Sequence, residues 1–339
     1  MTNPSRRRLL GRLLSRAGLM AALAPPALAL AQTAPAVGAP TDWPTRPISL
    51  LVGFAPGGGT DLIARQIAPR LSQLLGQSVV IENRAGGSGT IATGQAARAR
   101  PDGYTLLLGH VSSNAMVPAI TQVPYAPATA FTPILLIGSV PQVVVVRAAA
   151  PPRSLKDFIA WTRDKPGGVN YASSGAGTQQ HFAAELFQQA TGTTMTHVPY
   201  RGSGAALTDL LSGQVDVNFD TVPTVLQQIR SGQLRALAVT SRQRAASLPE
   251  VPTLIESGVP DYEIGAWYML MGPAGLPPPV VERLAAAMRQ TLATPEVRAR
   301  LEQLGTEIRI LGPADAQAYL RAEITRWARL AAAKHIKPD

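Results

Sequence analysis

The densest chemical signal in this chain is a turn of small residues, Phe54-Ala55-Pro56-Gly57-Gly58-Gly59-Thr60-Asp61, set between an apolar run and a helical pattern. Glycines permit a sharp turn and a close approach of the backbone to a ligand. A helix that starts there presents unpaired N–H groups and a partial positive charge, which suit a carboxylate or phosphate without any basic side chain. Thr60 and Asp61 are both able to cap such a helix. An Asp cap competes with an anion for the same amides, so Thr60 and the amides of Gly58 and Gly59 are the expected contacts. The plainer alternative is a tight strand-to-helix turn that binds nothing. Similar turns recur at Asn83 to Thr90, Gly109 to Asn114, Ser173 to Thr178 and Tyr200 to Gly204. All five fall at the carboxyl ends of predicted strands, the edge at which open α/β sheets bind ligands.

Other chemistries find little support. Cysteine is absent, which removes thiolate nucleophiles, thiolate metal sites and disulfides. The four histidines, His110, His181, His197 and His335, form no pair with metal-ligand spacing. The run Phe54 to Gly59 does not give G-x-G-x-x-G, and no lysine follows it as in a P-loop. Glu82, where a ribose-binding acid would sit, reads instead as a strand-end residue paired with a neighbouring arginine. Ser173 and Ser174 lie near His181 in sequence, but no G-x-S-x-G elbow is present. His181 sits about one turn into a helix, as a cap or a cleft-wall group. Asp216 and Asp220 flank a strand; Asp216 reads as surface, while Asp220, at a carboxyl edge, stands between cleft contact and structural residue. Trp267 and Tyr268 read as core packing or as an aromatic cleft wall. No catalytic residue, metal or cofactor is expected.

The elements that must position these turns alternate along the chain. Ile48 to Phe54 is a near-continuous apolar run, as in a buried parallel strand. Leu62, Ile63, Ile67, Leu71, Leu74 and Leu75 follow at helical spacing, with Gly76 as the stop and Pro69 as an expected kink or break. Strands are expected at Val79–Ile81, Tyr104–Leu108, Gln142–Val146, Val169–Ala172, Thr194–Val198, Val215–Phe219, Leu234–Thr240 and Tyr262–Met271. Ser154 caps a helix to about Arg163, another helix carries Phe182, Leu186 and Phe187, and three more lie near Val280–Leu292, Pro295–Leu304 and Pro313–Ala332. Gly89 to Arg100 reads as a small-residue helix. This alternation argues an α/β fold with parallel sheets and helices on both faces.

The whole chain has 339 residues, room for two domains or one large one. With 46% hydrophobic and 15% charged residues, a sizeable core is available and disorder of the bulk is excluded. Residues 1–31 read as an export signal. Arg6, Arg7, Arg8, Arg12 and Arg16 come without any acid, and an apolar run to Ala31 ends in Ala29-Leu30-Ala31. That run, broken by Pro25 and Pro26, is shorter than the roughly 20 apolar residues of a membrane span. Ser5-Arg6-Arg7-Arg8-Leu9-Leu10 fits a twin-arginine signal and equally an ordinary secretory one. Residues 32–42 read as a flexible tether. Of 31 basic residues five lie in the leader, which leaves 26 against 21 acidic ones, a net +5. No basic stripe remains for nucleic acid, and the modest positive balance favours an anionic ligand.

Several motifs together carry a resemblance. They are Trp43-Pro44-Thr45-Arg46-Pro47-Ile48, the run Gly53 to Asp61, Glu82-Asn83-Arg84 with Gly86-Gly87, Pro101-Asp102-Gly103-Tyr104-Thr105-Leu106, Val198-Pro199-Tyr200-Arg201-Gly202 and Pro249-Glu250-Val251-Pro252-Thr253. In this order, over nearly all of the mature chain, the sequence resembles the Bug (TctC-like) family, the extracytoplasmic solute-binding receptors of tripartite tricarboxylate transporters. The resemblance implies a type II periplasmic binding-protein fold, two α/β lobes with a ligand cleft between them. Residues 43–143 and 264–339 would form lobe 1, and 144–263 lobe 2. It implies a monomer in the periplasm that binds a small carboxylate and hands it to membrane transport subunits. Carried over, the contacts fall on Phe54, Ala55, Gly58, Gly59, Thr60, Ser88, His110, Val111 and Ser112 of one lobe. Ser173, Ser174, Thr178, Pro199 and Asp220 supply the other. His110 stands where such proteins often carry a small hydroxyl residue. A neutral imidazole there donates or accepts, and a protonated one favours a second carboxylate near mildly acidic pH. Two other readings are an exported α/β enzyme with a bound cofactor and a ligand sensor for a membrane kinase.

Overall fold

The structure is a computed structural model that describes residues 42–338. The leader expected over 1–31, and the tether up to residue 41, lie outside the described residues. The chain opens with β1 (Ile48–Val52), α1 (Gly59–Leu75), β2 (Val79–Asn83), α2 (Thr90–Ala97) and β3 (Thr105–His110). A π-helical turn (Ser112–Met116) leads into the short α3 (Val117–Ile120) and then the long β4 (Phe131–Arg147). The middle of the chain holds α4 (Leu155–Asp164), β5 (Val169–Ser173), α5 (Gln179–Thr191), β6 (Met195–Pro199) and α6 (Ser203–Ser212). It continues with β7 (Val217–Thr221), α7 (Val222–Arg230) and β8 (Leu234–Val239). The chain returns along β9 (Gly265–Pro273) and closes with α8 (Pro278–Ala293), α9 (Pro295–Gln303), β10 (Glu307–Leu311) and α10 (Pro313–Ala333).

The strands run in the order β2-β1-β3-β9-β4-β7-β5-β6, with β8 and β10 also paired to β4. The outer strands behave as the apolar runs predict: β1 pairs in parallel with β2 and β3, and β5 with β6 and β7. The expectation of purely parallel sheets fails at the centre. There β9 is antiparallel to β3 and β4, and β4 is antiparallel to β7, β8 and β10. These two strands carry the chain from one lobe to the other and back, so they oppose the βα units beside them. The changeover is sharp: Pro141 is in register with Gly265 of β9, and the next residue, Gln142, with Thr221 of β7.

Sequence reading captured only Gln142–Val146 of β4, because Pro133, Gly138 and Pro141 look like breakers. The register shifts between Pro133 and Leu135 and between Leu136 and Gly138 absorb them. Gly138, at φ 150°, also lies where a Cβ would come 2.2 Å from the Glu307 carbonyl oxygen, so β10 packs onto bare backbone. β10 itself was not legible, since most of its residues are exposed and no inward-facing alternation marks it. Pro69 does not break α1. It lies on the exposed face, and the helix runs on to the left-handed Gly76. Ser154 caps α4 as expected, in a reciprocal pair with Asp157: the Asp157 N–H donates to Ser154 Oγ at 3.1 Å and the Ser154 N–H to Asp157 Oδ2 at 3.0 Å. Glu82 is paired with Arg84 at 2.8 Å.

Candidate functional site

The turn after β1 exists because backbone passes close to backbone. A Cβ on Gly53 would sit 2.9 Å from Gly89 Cα, so these two loops touch without side chains. Gly58 then precedes α1 in an extended conformation, and no side chain caps the helix. Asp61 is turned away from the helix mouth. Its Oδ2 accepts from the Gly57 N–H at 2.9 Å and from Arg65 Nε at 2.8 Å, and its Oδ1 from Asn83 Nδ2 at 3.0 Å. Burial pushes the Asp61 carboxyl up, but the bonds from Arg65, Gly57 and Asn83 outweigh burial and hold it below the usual carboxylate range. The competing acid therefore folds back onto the turn and leaves the first amides of α1 facing the seam between the lobes.

Three more helices begin at that seam. Gln179 is the first residue of α5, Ser203 the first of α6, and Thr221 the cap residue of α7; none of the three helices has a side-chain cap. Together with Gly59 and Thr60 they line one small cavity, whose remaining wall includes Phe54, His110, Ser174 and Tyr268. Four helix N-termini around one space bias it towards negative charge with no cation among the lining residues. The cavity measures about 10 Å³, about what one water molecule needs. A cavity of that size leaves no room for an organic acid. An adjoining cavity of about 160 Å³ lies outward, walled by the glycine loops of both lobes, and shares Phe54 and Ser174 with the inner one.

Two aromatic groups tune the inner cavity. Tyr268 is fully buried, and its hydroxyl sits beside the Thr60 side chain without a well-formed hydrogen bond among the described residues. A Cβ added to Gly59 would lie 3.1 Å from that hydroxyl, which places it over the start of α1. Burial, with the nearby Asp220 carboxyl, raises the Tyr268 phenol far above its ordinary value, so it stays a proton donor. His110 stands edge-on to Phe54 at 5.0 Å and tilted to Tyr268 at 5.3 Å. Its Nδ1 accepts from the Ser112 N–H at 3.2 Å, which assigns the proton to Nε2. Burial drives its pKa down to about 3, so the imidazole is neutral and the protonated alternative does not arise near neutral pH.

The residues expected from sequence fall into three groups. Phe54, Gly58, Gly59, Thr60, His110 and Ser174 line the inner cavity, and Ser88 lines the outer one. Ala55 and Ser112 are seam contacts. A Cβ on Gly202 would lie 3.1 Å from that of Ala55, and Ser112 meets Gln179 across the seam. Ser88 also ties the lobes, since its Oγ donates to the Ala176 carbonyl at 2.6 Å. Val111, Ser173, Thr178, Pro199 and Asp220 line neither cavity. Val111 is fully buried, and Pro199 is exposed at the end of β6. Ser173, 2.6 Å from His197 Nε2, and Thr178, whose Oγ1 donates to the Gly175 carbonyl at 2.7 Å, shape the turn that carries Ser174. His181 supports the same turn by accepting the Gly177 N–H at 3.0 Å.

Asp220 lies buried behind Ser203 and accepts from the Thr221 N–H at 2.7 Å and Asn218 Nδ2 at 3.0 Å. Burial lifts its pKa to about 6, against the pull of the Thr221 N–H and of the Gln180, Ser203 and Thr224 side chains. Sequence reading left Tyr268 between packing and cleft wall, placed Ser203 only within the Tyr200–Gly204 turn, and did not name Gln179 or Thr221. Their common signal is position: each opens a helix directly after a strand end, as Thr60 does.

A two-lobed mixed α/β chain, crossed twice by the backbone and lined at the seam by helix N-termini, has the architecture of a type II periplasmic binding protein, a class of solute-binding receptor. Comparison with known proteins gives the family. Residues 63–336 match the Tripartite tricarboxylate transporter family receptor (TctC), and the chain belongs to that family. It is 38% identical over 303 residues to Protein BugT of Bordetella pertussis, covering 89% of this chain and 93% of that one. Among solved structures, the periplasmic binding protein BugD superposes with a TM-score of 0.83 at 36% identity, covering 88% of this chain and all (100%) of BugD. Rpa4515 of R. palustris, solved with adipate, gives 0.84 at 38% identity, with 88% and 100% covered. The family and these neighbours are receptors rather than enzymes.

Proposed function

We propose that this receptor captures a small carboxylate at the mouth of α1 and delivers it to the membrane subunits of a tripartite tricarboxylate-type transporter. Export by the leader over residues 1–31 would place it in the periplasm. The first amides of α1, the Thr60 hydroxyl and the Tyr268 hydroxyl are the donors to the carboxylate; Ser174, Ser203, Gln179 and Thr221 close over it from the second lobe. The lobes hinge where β4 and β9 cross, close to residues 143/144 and 263/264, and closure traps the solute, as binding proteins do. The observation that carries this reading is the buried Tyr268 hydroxyl, set beside Thr60 over an uncapped helix start and without a well-formed hydrogen bond there. A buried donor left unmade costs about 1–3 kcal/mol, which an arriving carboxylate oxygen returns. The adipate in the related Rpa4515 supports the same chemistry.

Thermal melting against a library of organic, amino and aromatic acids tests the reading. A true ligand at 100 times its dissociation constant stabilises by about 2.7 kcal/mol. No shift with any acid would sink it, and mass spectrometry of small molecules released from purified protein would name the solute directly.

A further inference from the structure

An acid at the mouth of α1 would bring a negative charge up to one that the protein already buries. Asp220 is fully buried, and its Oδ1 accepts from the Thr221 N–H at 2.7 Å and from Ser203 Oγ at 3.3 Å. Gln180 and Thr224 stand beside it, and all of these neighbours are neutral. Thr221 and Ser203 also line the inner cavity, so a single hydrogen-bonded residue separates this carboxylate from the solute. Charged groups on the elements around Asp220 are engaged elsewhere. Asp61 of α1 pairs with Arg65, Asp216 just before β7 with Lys165, Glu185 of α5 accepts from Tyr171, and Asp209 of α6 from Tyr200. Arg147 and Arg230 stand at the far ends of β4 and α7. His181 of α5 accepts from the Gly177 N–H, His110 is neutral, and Tyr268 keeps its proton.

Asn218 supplies the observation that points to a proton. Its Nδ2 donates to Asp220 Oδ2 at 3.0 Å, while its Oδ1, fully buried, has no hydrogen-bond partner among the described residues. The same amide turned over presents that oxygen to a carboxylic acid O–H, so Asn218 serves Asp220 in either charge state. Burial already lifts the Asp220 carboxyl to about 6, and a second carboxylate close by raises it further.

We propose that this receptor takes up its acid together with one proton, which passes from solvent to Asp220 Oδ2. The inference rests on the reading of the inner cavity as a carboxylate site and adds how that site balances its charge: by a proton, with no cationic side chain. Solute is then held more tightly in acid and released more readily as pH rises.

Titration calorimetry tests this with adipate, or with the acid that shifts the melting curve most, in buffers of different ionisation enthalpy. Between pH 6.5 and 8.5, where simple carboxylic acids stay ionised, affinity should fall at least about fivefold, and binding at pH 7 should take up about half a proton or more. Asp220→Asn keeps the shape without the charge. It should bind with no proton uptake and one affinity across that range, at least about fivefold tighter than wild type at pH 8.5. The wild-type buffer series decides the matter even where this variant does not fold. No proton uptake by wild type, or an undiminished pH dependence in Asp220→Asn, overturns the inference and leaves the carboxylate reading intact. If no acid binds at any pH, both fall together.

Discussion

Ser112 and Gln179 lock the two lobes to each other reciprocally. The Gln179 N–H donates to Ser112 Oγ at 3.0 Å, and that Oγ donates to Gln179 Oε1. Both residues are buried, one in the π-helical turn after β3 and the other at the start of α5. A pair that forms only when the lobes meet belongs to closure rather than to the stability of either half. Gln179→Ala should therefore weaken solute binding by about fivefold, near 1 kcal/mol, while the melting temperature without solute barely changes. An affinity equal to wild type would detach the pair from closure.

Gly59 separates closure from folding more cleanly. A Cβ there would lie 2.6 Å from Thr221 Oγ1 of the opposite lobe, whereas the helix itself gains from alanine. Gly59→Ala should keep or slightly raise stability, by up to about 1 kcal/mol, and cut affinity at least about tenfold. Small-angle scattering should then show a larger radius of gyration with solute present than the wild type gives. A variant as compact and as tight-binding as wild type would count against closure on Gly59.

Removal of the Tyr268 hydroxyl should move stability and affinity in opposite directions. Tyr268→Phe deletes a buried hydroxyl that makes no well-formed hydrogen bond beside Thr60, so unfolding should become harder by up to about 1 kcal/mol, and solute affinity should fall. Chemical denaturation and calorimetry read the two effects. Lost stability would mean that the hydroxyl is bonded within the protein.

Two buried groups give opposing acid-range effects. His110 takes a proton near 6.5 when unfolded and only near 3 when folded, so it withdraws stability as pH falls from 6.5 towards 3. Asp220 ionises near 3.8 when unfolded and near 6 when folded, so it withdraws stability as pH rises from 4 to 6. Each slope reaches about 1.4 kcal/mol per pH unit at most. Relative to wild type, His110→Asn should gain stability as pH drops from 6 to 4, and Asp220→Asn should lose it over the same interval. Denaturation series at these pH values will show the two difference curves; parallel curves for both variants would refute the assignment.

The glycine turns, the helix starts and the outer strands were legible because local chemistry dictates them. Phe54 to Asp61 reads the same way in sequence and in space, since glycine freedom and helix capping are short-range. The crossing strands were not. Pro133, Gly138 and Pro141 look like punctuation, and only the partners β7, β8, β9 and β10, far away in the chain, turn Phe131–Arg147 into one strand. Tyr268 suffers the same limit. Its role over α1 follows from its register opposite His110 across β3 and β9, which no local pattern encodes.

β4 contributes its first half to one group of strands and its second half to the other. A fragment ending at residue 141 would hold the first half of β4 without its partners β9 and β10, and one starting after it would strip β9 and β10 of that neighbour. The two halves are therefore heritable only as one: they are not exchangeable modules, and heat should melt them in a single step.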